Sequence, residues 1–298
     1  MNIELTSRHT PSASVRQAAD GWRMDIPAGP RGSYRLAQLD DYGRAVTYHY
    51  MHLPRRAFGW QPPVTLRLRA RASDASLPGT WGFGLWNDPF GFAIGFGGTA
   101  RRLPALPNTA WFFHASPESY LSLQPCHCEE QSDEAIPSRA GIASSGTPAL
   151  AGGAREERPP RNDMPANGFF AGTFRSPRWP SPLLAPALLA LPLLALRPAS
   201  RLLRRLASRL VRQDGGAVSV DVTHWHEYSI RWQQAEAVVF LMDGVEILRT
   251  PIAPRGPLGL VLWIDNQYAA WRPDGRLGYG TLANPAAWLE IENIAATG

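Results

Sequence analysis

Two clusters in this chain combine flat aromatic rings with short polar side chains: Trp86, Asn87 and Asp88, then Trp263, Asp265, Asn266, Gln267, Tyr268 and Trp271. Such rings offer apolar area to the C–H faces of a sugar, while Asp and Asn give directional hydrogen bonds to hydroxyls. A third group, Trp111, Phe113 and His114, lies between them along the chain. The carboxylates available near these rings for acid, base or nucleophile work are Asp88, Glu118 and Asp265. Each residue also has a structural role open to it. Trp86 and Trp263 suit a core, His114 suits a hydrogen-bonded core position, and Asp265 and Asn266 suit a turn.

The elements that would position these groups must come from 298 residues, enough for two domains or one large β domain with insertions. A hydrophobic fraction of 44% with 18% charged residues excludes wholesale disorder. The chain contains no lysine, so all 30 basic residues are arginine, against 25 acidic ones. Arginine forks suit anions, but a net charge of +5 spread over this length, with no basic stripe or motif, gives no reason to expect a nucleic-acid partner.

Cys126 and Cys128 flank His127. That spacing is too tight for an easy disulfide and lacks the second pair a zinc site needs, so surface thiols are expected. The run Glu129, Glu130, Asp133 and Glu134 reads as solvated charge rather than a metal site. No metal and no cofactor are expected. The first twenty residues have no apolar run behind a basic start, so a secretory signal is not expected and a cytoplasmic location is. The longest apolar stretch, Pro182 to Leu196, is shorter than the roughly 20 residues of a spanning helix. Pro182, Pro186 and Pro192 interrupt it.

Most of the chain is written in period two. GWRMDI, GSYRLAQLDDY, AVTYHYMHL and VTLRLRARA alternate apolar and polar residues between turn signals. In the last of these Val64, Leu66, Leu68 and Ala70 fall on one face, with Thr65, Arg67, Arg69 and Arg71 on the other, which predicts a sheet with one wet side. GTWGFGLWNDPFGFAIGFGG sets rings against glycines, as where a bulky ring lies over a bare backbone. NTAWFFHASPESYLSL continues the pattern. It resumes with AVSVDV, WHEYSIRW, AEAVVFLMDGVEIL, GPLGLVLWIDNQYAAW, GRLGYGTL and AAWLEIENI, and Asp243-Gly244 marks a hairpin. This spacing predicts one all-β domain over residues 1–298, a two-sheet antiparallel sandwich.

Two segments interrupt it. Residues 125–165 lack periodicity and are rich in Ala, Gly, Ser and Pro, which predicts a disordered insertion. Its CHCEEQSDEAI opening and RPPRND end resemble the translation of a dispersed bacterial palindromic repeat, which implies a passenger without chemistry of its own. Residues 180–214 form an apolar and then basic insertion. From Arg197 to Arg212, a 100° step places Ala199, Leu202, Leu203, Leu206 and Leu210 on one arc and Arg201, Arg204, Arg205, Arg209 and Arg212 on the other. Such a helix packs its apolar face on the sandwich, or lies with its Pro-broken leucine partner in the headgroup region of an anionic membrane. A partner protein is a third occupant for that face.

The run HWHEYSIRWQQAEAVVFLMDGVEIL resembles the concanavalin A-like lectin and glucanase superfamily, in particular glycoside hydrolase family 16, through Trp225, His226, Tyr228, Trp232, Phe240, Asp243 and Gly244. GTWGFGLWND resembles that family's cleft strand and AAWLEIENI its closing strand. The resemblance implies a jelly-roll sandwich with Trp86, Asn87, Asp88, Trp111 or Phe113, His114, Trp263, Asp265, Asn266, Tyr268 and Trp271 approaching a concave face. Trp225 and Trp232 are assigned to packing. It also implies a catalytic Glu-x-Asp-x-Glu strand, but the corresponding stretch here, Ala110 to His114, holds no carboxylate. A retaining glycosidase needs two carboxylates about 5 to 5.5 Å apart. The expectation is therefore a non-catalytic module binding a glycan or glycolipid, peripheral at the inner membrane face through the arginine helix. Two alternatives stand beside it: a hydrolase or transglycosylase using Asp88, Glu118 or Asp265, and a scaffold for a protein partner.

Overall fold

The computed structural model describes residues 3–42, 58–89, 105–123, 164–179, 184, 191–234 and 237–298. Its strands in chain order are β1 (Thr6–His9), β2 (Ser14–Ala18), β3 (Gly21–Ile26), β4 (Leu36–Asp40), β5 (Val64–Ala72), β6 (Thr80–Trp86), β7 (Thr109–Ala115) and β8 (Gly168–Arg175). After a 3-10 turn (Leu191–Ala195) and helix α1 (Arg197–Leu210) come β9 (Arg212–Ala217), β10 (His226–Trp232), β11 (Val238–Met242) and β12 (Val245–Thr250). The last four are β13 (Gly259–Asp265), β14 (Gln267–Trp271), β15 (Leu277–Thr281) and β16 (Ala287–Thr297).

Two seven-stranded antiparallel sheets form the body. The first runs β1-β4-β13-β6-β7-β8-β9 and the second β12-β11-β10-β5-β16-β3-β2, with β14 and β15 forming a separate hairpin. The jelly-roll sandwich expected from the sequence is the fold observed. Alternation explains it: along β5 every second residue from Val64 to Ala72 is buried, while Arg67, Arg69 and Arg71 point out. Between the sheets, Leu39, Trp81, Phe83, Phe112, Tyr228, Trp232, Phe240, Leu262 and Leu289 make one contiguous core. Asp243 and Gly244, both at positive φ, turn β11 into β12 as the dipeptide predicts.

The wet side of the second sheet is laced by charge. Glu290 accepts from Arg23 and Arg71 at 2.7 Å each, and Arg69 meets Glu292 at 3.2 Å. The guanidinium groups of Arg69 and Arg71 lie over the ring of Trp225, and those of Arg23 and Arg71 over Trp288. Trp225 thus packs under arginines, and Trp232 is buried in the core.

Some expectations differ from what the structure holds. AVSVDV is not a strand; the strand is RQDGGA, which begins at Arg212 inside the segment expected as insertion and pairs with β8 from Phe170 to Arg175. Strands β1 and β2 carry no strong alternation and gain their place by pairing with β4 and β3. AVTYHYMHL, and residues 125–163 with Cys126, Cys128 and the acidic run, lie outside the described residues. Of the expected disordered stretch, Met164 is described and is buried.

Helix α1 coincides with the expected amphipathic span up to Leu210, but its docked side is rotated from the expected one: Ala199, Leu203 and Leu210 are half-buried, whereas Leu202 and Leu206 are exposed and Arg204 is buried. Ser200 and Arg204 are the residues it buries. The Arg204 side chain donates to the carbonyls of Ser122 (2.6 Å), Leu123 (2.9 Å) and Trp271 (2.9 Å), and Arg201 Nε donates to Asp274 O at 2.8 Å. Trp271 Nε1 donates to Ser200 Oγ at 3.0 Å. Leu202 and Leu206 are left 59% and 45% exposed, with Leu193 and Leu196 at 48% and 58% on the approach to the helix. Arg204 is therefore a docking residue rather than a membrane-facing one, and Arg212 belongs to β9. Arg205 and Arg209 remain exposed beside the leucines.

Candidate functional site

The outer face of the first sheet carries the aromatic groups. Register places Gln38, Trp263, Gly82, Phe113 and Phe170 in one row across β4, β13, β6, β7 and β8. The next row holds Asp40, Val261, Gly84, Trp111 and Gly172. Rings and glycines alternate because a ring needs bare backbone beside it. A Cβ on Gly82 would sit 2.9 Å from the Trp263 ring and 2.4 Å from Phe112 O. Gly82→Ala is accordingly expected to lower stability by about 1–3 kcal/mol in urea unfolding.

These rings form a second cluster. Trp263 lies parallel to Trp86 at 6.1 Å, and its centroid is 5.8 Å from Trp111 and 5.1 Å from Phe113. Trp111, Phe113, Phe170, Phe174 and Trp263 are all buried, and Trp86 is half-buried. The expected meeting of Trp86, Trp111 and Trp263 is what the structure shows, as a packed cluster.

His114 is not among them. It alternates with Phe113 and so faces the inter-sheet side, where its ring stacks on Trp81 at 5.5 Å and Nε2 contacts Leu77 O at 3.2 Å. Burial holds its pKa below the usual value. The two asparagines are occupied by the backbone. Asn87 bonds Asn108 N and Leu106 O, each at 2.9 Å. Asn266 accepts from Arg35 N and donates to Ser33 O and Leu282 O. Tyr268 covers Gly278 and Gly280 of the neighbouring strand, and Trp271 is tied to α1.

The carboxylates are dispersed. Glu118 is exposed in the turn after β7, and Asp88 is buried past the end of β6. Asp265 accepts from Thr80 Oγ1 at 2.8 Å and Gln267 N at 3.1 Å, while Trp263 Nε1 donates to that same hydroxyl at 3.0 Å. Burial pushes its carboxyl up to about 7.

Sequence reading missed a polar group at the far end of this face, in the LDDY stretch. Asp40 is buried and held by Arg8 Nε (2.6 Å) and Gln38 Nε2 (2.8 Å). Asp41 accepts from Trp60 Nε1 and from Leu260 N, and burial raises it to about 6. The Tyr42 hydroxyl, which accepts from Trp86 Nε1, is pushed up by burial and then by Asp88, Asp40 and Asp41. Asp40 stands opposite Val261, four residues along β13 from Asp265. At ~3.3 Å per residue that is ~13 Å of strand between their backbone positions, whereas Asp40, Asp41 and Asp88 all bear on the Tyr42 hydroxyl. Among the described residues no group of three or more His, Cys, Asp and Glu could hold a metal ion.

No family model matches the chain, and no curated protein matches it either. Among solved structures it is similar to a sialidase, at 7% identity and TM-score 0.39, covering 99% of this chain but 17% of that one. It is similar to a legume lectin-like domain from Entamoeba histolytica, at 7% identity and TM-score 0.42, covering 98% of this chain and 89% of that one. It is also similar to a glycoside hydrolase family 16 endo-glucanase from Bacteroides ovatus, at 8% identity and TM-score 0.40, covering 98% and 94% of the two chains. These are likenesses of the two-sheet architecture.

Proposed function

We propose that this chain is a non-catalytic binding protein on a glucanase- and lectin-like sandwich, seated on an anionic lipid surface by α1. The observation that carries this reading is the orientation of the helix: the sandwich takes Arg204, and Leu202, Leu206, Arg205 and Arg209 face outward. A strip of leucine flanked by arginine matches the boundary between acyl chains and anionic headgroups. Among the described residues no helix is long and apolar enough to cross a membrane, so the contact would be interfacial. Flotation with phosphatidylcholine vesicles, with and without phosphatidylglycerol, tests it. The protein is expected to float with the anionic vesicles. Arg205→Gln with Arg209→Gln is expected to weaken binding about 30-fold, at about 1 kcal/mol per arginine near the surface, and Leu202→Ser with Leu206→Ser at least as much. Flotation unchanged when all four substitutions are combined would overturn the reading, as would no flotation of the parent protein.

Carbohydrate is the ligand class we assign to the sandwich itself. Trp86 supports it as a half-buried ring parallel to Trp263 at the margin of the aromatic cluster. A glycan array should give binding that Trp86→Ala abolishes, without release of reducing sugar. Binding indifferent to Trp86 would put the sugar elsewhere on the sandwich, and no binding to any glycan would favour the protein-scaffold alternative, for which the buried remainder of that cluster speaks.

A further inference from the structure

Where β8 and β10 end, on the two different sheets, a cleft of about 450 Å³ opens. It is lined by Gln61, Arg175, Arg178, Gln233, Gln234 and Arg255, with Trp232 and Gly256 among its other walls. Three arginines border it, and no carboxylate is among its described lining residues.

The backbone segments that carry two of the arginines are fixed from behind. Buried Asn108 accepts through Oδ1 from Arg255 N (2.8 Å) and from Ser176 N (3.2 Å), and its amide contacts Ser176 O at 3.3 Å. One side chain therefore laces together the segments that carry Arg178 and Arg255. Gly256 closes against the Trp232 ring, where a Cβ would come within 2.6 Å. The backbone of the site is thus backed by packed structure, while the side chains of Arg178 and Arg255, like those of the three glutamines, reach out into solvent around the cleft. Arg178 has its pKa lowered by burial and then by the charge of Arg255. Two like charges lining one cleft repel, and the repulsion is relieved when an anion enters between them.

We propose that this cleft is an oxyanion site, taking a phosphate or sulfate ester group carried on a hydroxylated ligand. The guanidinium forks suit the anion's oxygens. Three side-chain amides, Gln61, Gln233 and Gln234, both donate and accept, which suits neighbouring hydroxyls. The ester group could belong to a soluble sugar phosphate or to a lipid headgroup, and the site is separate from the leucine strip of α1.

Calorimetric titration of the full chain at low ionic strength with inorganic phosphate, sulfate and glucose phosphate tests the soluble source. Vesicles of phosphatidylcholine containing phosphatidic acid test the headgroup. Arg178→Gln with Arg255→Gln is the variant, and circular dichroism checks that it is folded. Binding is expected in at least one arm, and the variant should weaken it about tenfold or more, the loss of charge-assisted hydrogen bonds. The ligand-free variant should also melt no lower than the parent, since a repulsion is removed. Absence of binding in every arm, or binding that the variant leaves unchanged, would overturn the proposal. Vesicle binding lost on Leu202→Ser with Leu206→Ser but kept by the arginine variant would belong to the helix and count against this site.

Discussion

Replacing Arg204 with alanine should lower stability by about 2–4 kcal/mol, the scale for losing hydrogen bonds from a charged donor and leaving buried carbonyls unpaired. The residue is only 6% exposed, and its guanidinium serves three carbonyls on two separate segments, Ser122 and Leu123 after β7 and Trp271 at the end of β14. Alanine would strand those oxygens where the helix still covers them. Arg204→Lys recovers part of the loss, because one ammonium cannot span three acceptors set in a fork. Arg205→Ala, one residue along and exposed, should stay within about 0.5 kcal/mol. Thermal unfolding measures the stability difference, and amide exchange over residues 200–208 reports whether the helix has come loose. Equal effects at 204 and 205 would refute the docking role.

That same residue shows where sequence reading reaches its end. The helix span was legible from its period, and an apolar arc facing the protein was the natural reading of Leu202, Leu203, Leu206 and Leu210. That Arg204 docks and Leu202 and Leu206 do not was decided by the carbonyls of Ser122, Leu123 and Trp271, and a helical projection contains no information about those. The two-sheet body was legible because alternation in VTLRLRARA, TWGFGLW and TAWFFHA is local and strong. Strand β9 was not, since RQDGGA has no apolar alternation and is fixed by pairing with β8, with Met164 packed over Gly172 and Gly215.

The site was legible in part for the same reason. The aromatic rows follow from alternation, so Trp86, Trp111 and Trp263 were placed together, and alternation alone also sets His114 on the opposite face from Phe113. The polar residues were harder to read. Asn87 and Asn266 look like ligand-binding groups in sequence, yet their bonds go to backbone of distant segments. Asp40, Asp41 and Tyr42 gained their setting only when β1 brought Arg8 and β6 brought Trp86 to them.

Asp265 carries the second large expected effect, a stability that falls as pH rises. Its unfolded value is about 3.9, and burial lifts the folded value to about 7 against the hydrogen bonds from Thr80 and Gln267. Between those values the folded chain holds a proton that the unfolded chain has given up, so stability is greatest below about pH 4 for this group and declines until about pH 7. At about 1.4 kcal/mol per unit, the whole change is at most about 4 kcal/mol. Asp41, raised to about 6, acts in the same sense, whereas His114, held low by burial, acts in the opposite sense and gains stability as pH rises toward its unfolded value. Asp265→Asn separates these contributions. The amide oxygen can still accept from Thr80 and Gln267, while the titration is gone, so the variant should match the parent near pH 4 and exceed it by about 1–3 kcal/mol at pH 8. Urea unfolding of both proteins across this range gives a difference curve whose rise should be centred between the two pKa values. Parallel profiles would mean that Asp265 is ionised at ordinary cost in the folded chain. The carboxyl would then be hydrated rather than sealed beneath Thr80, and the outer face beside Trp263 would be open to a polar ligand after all.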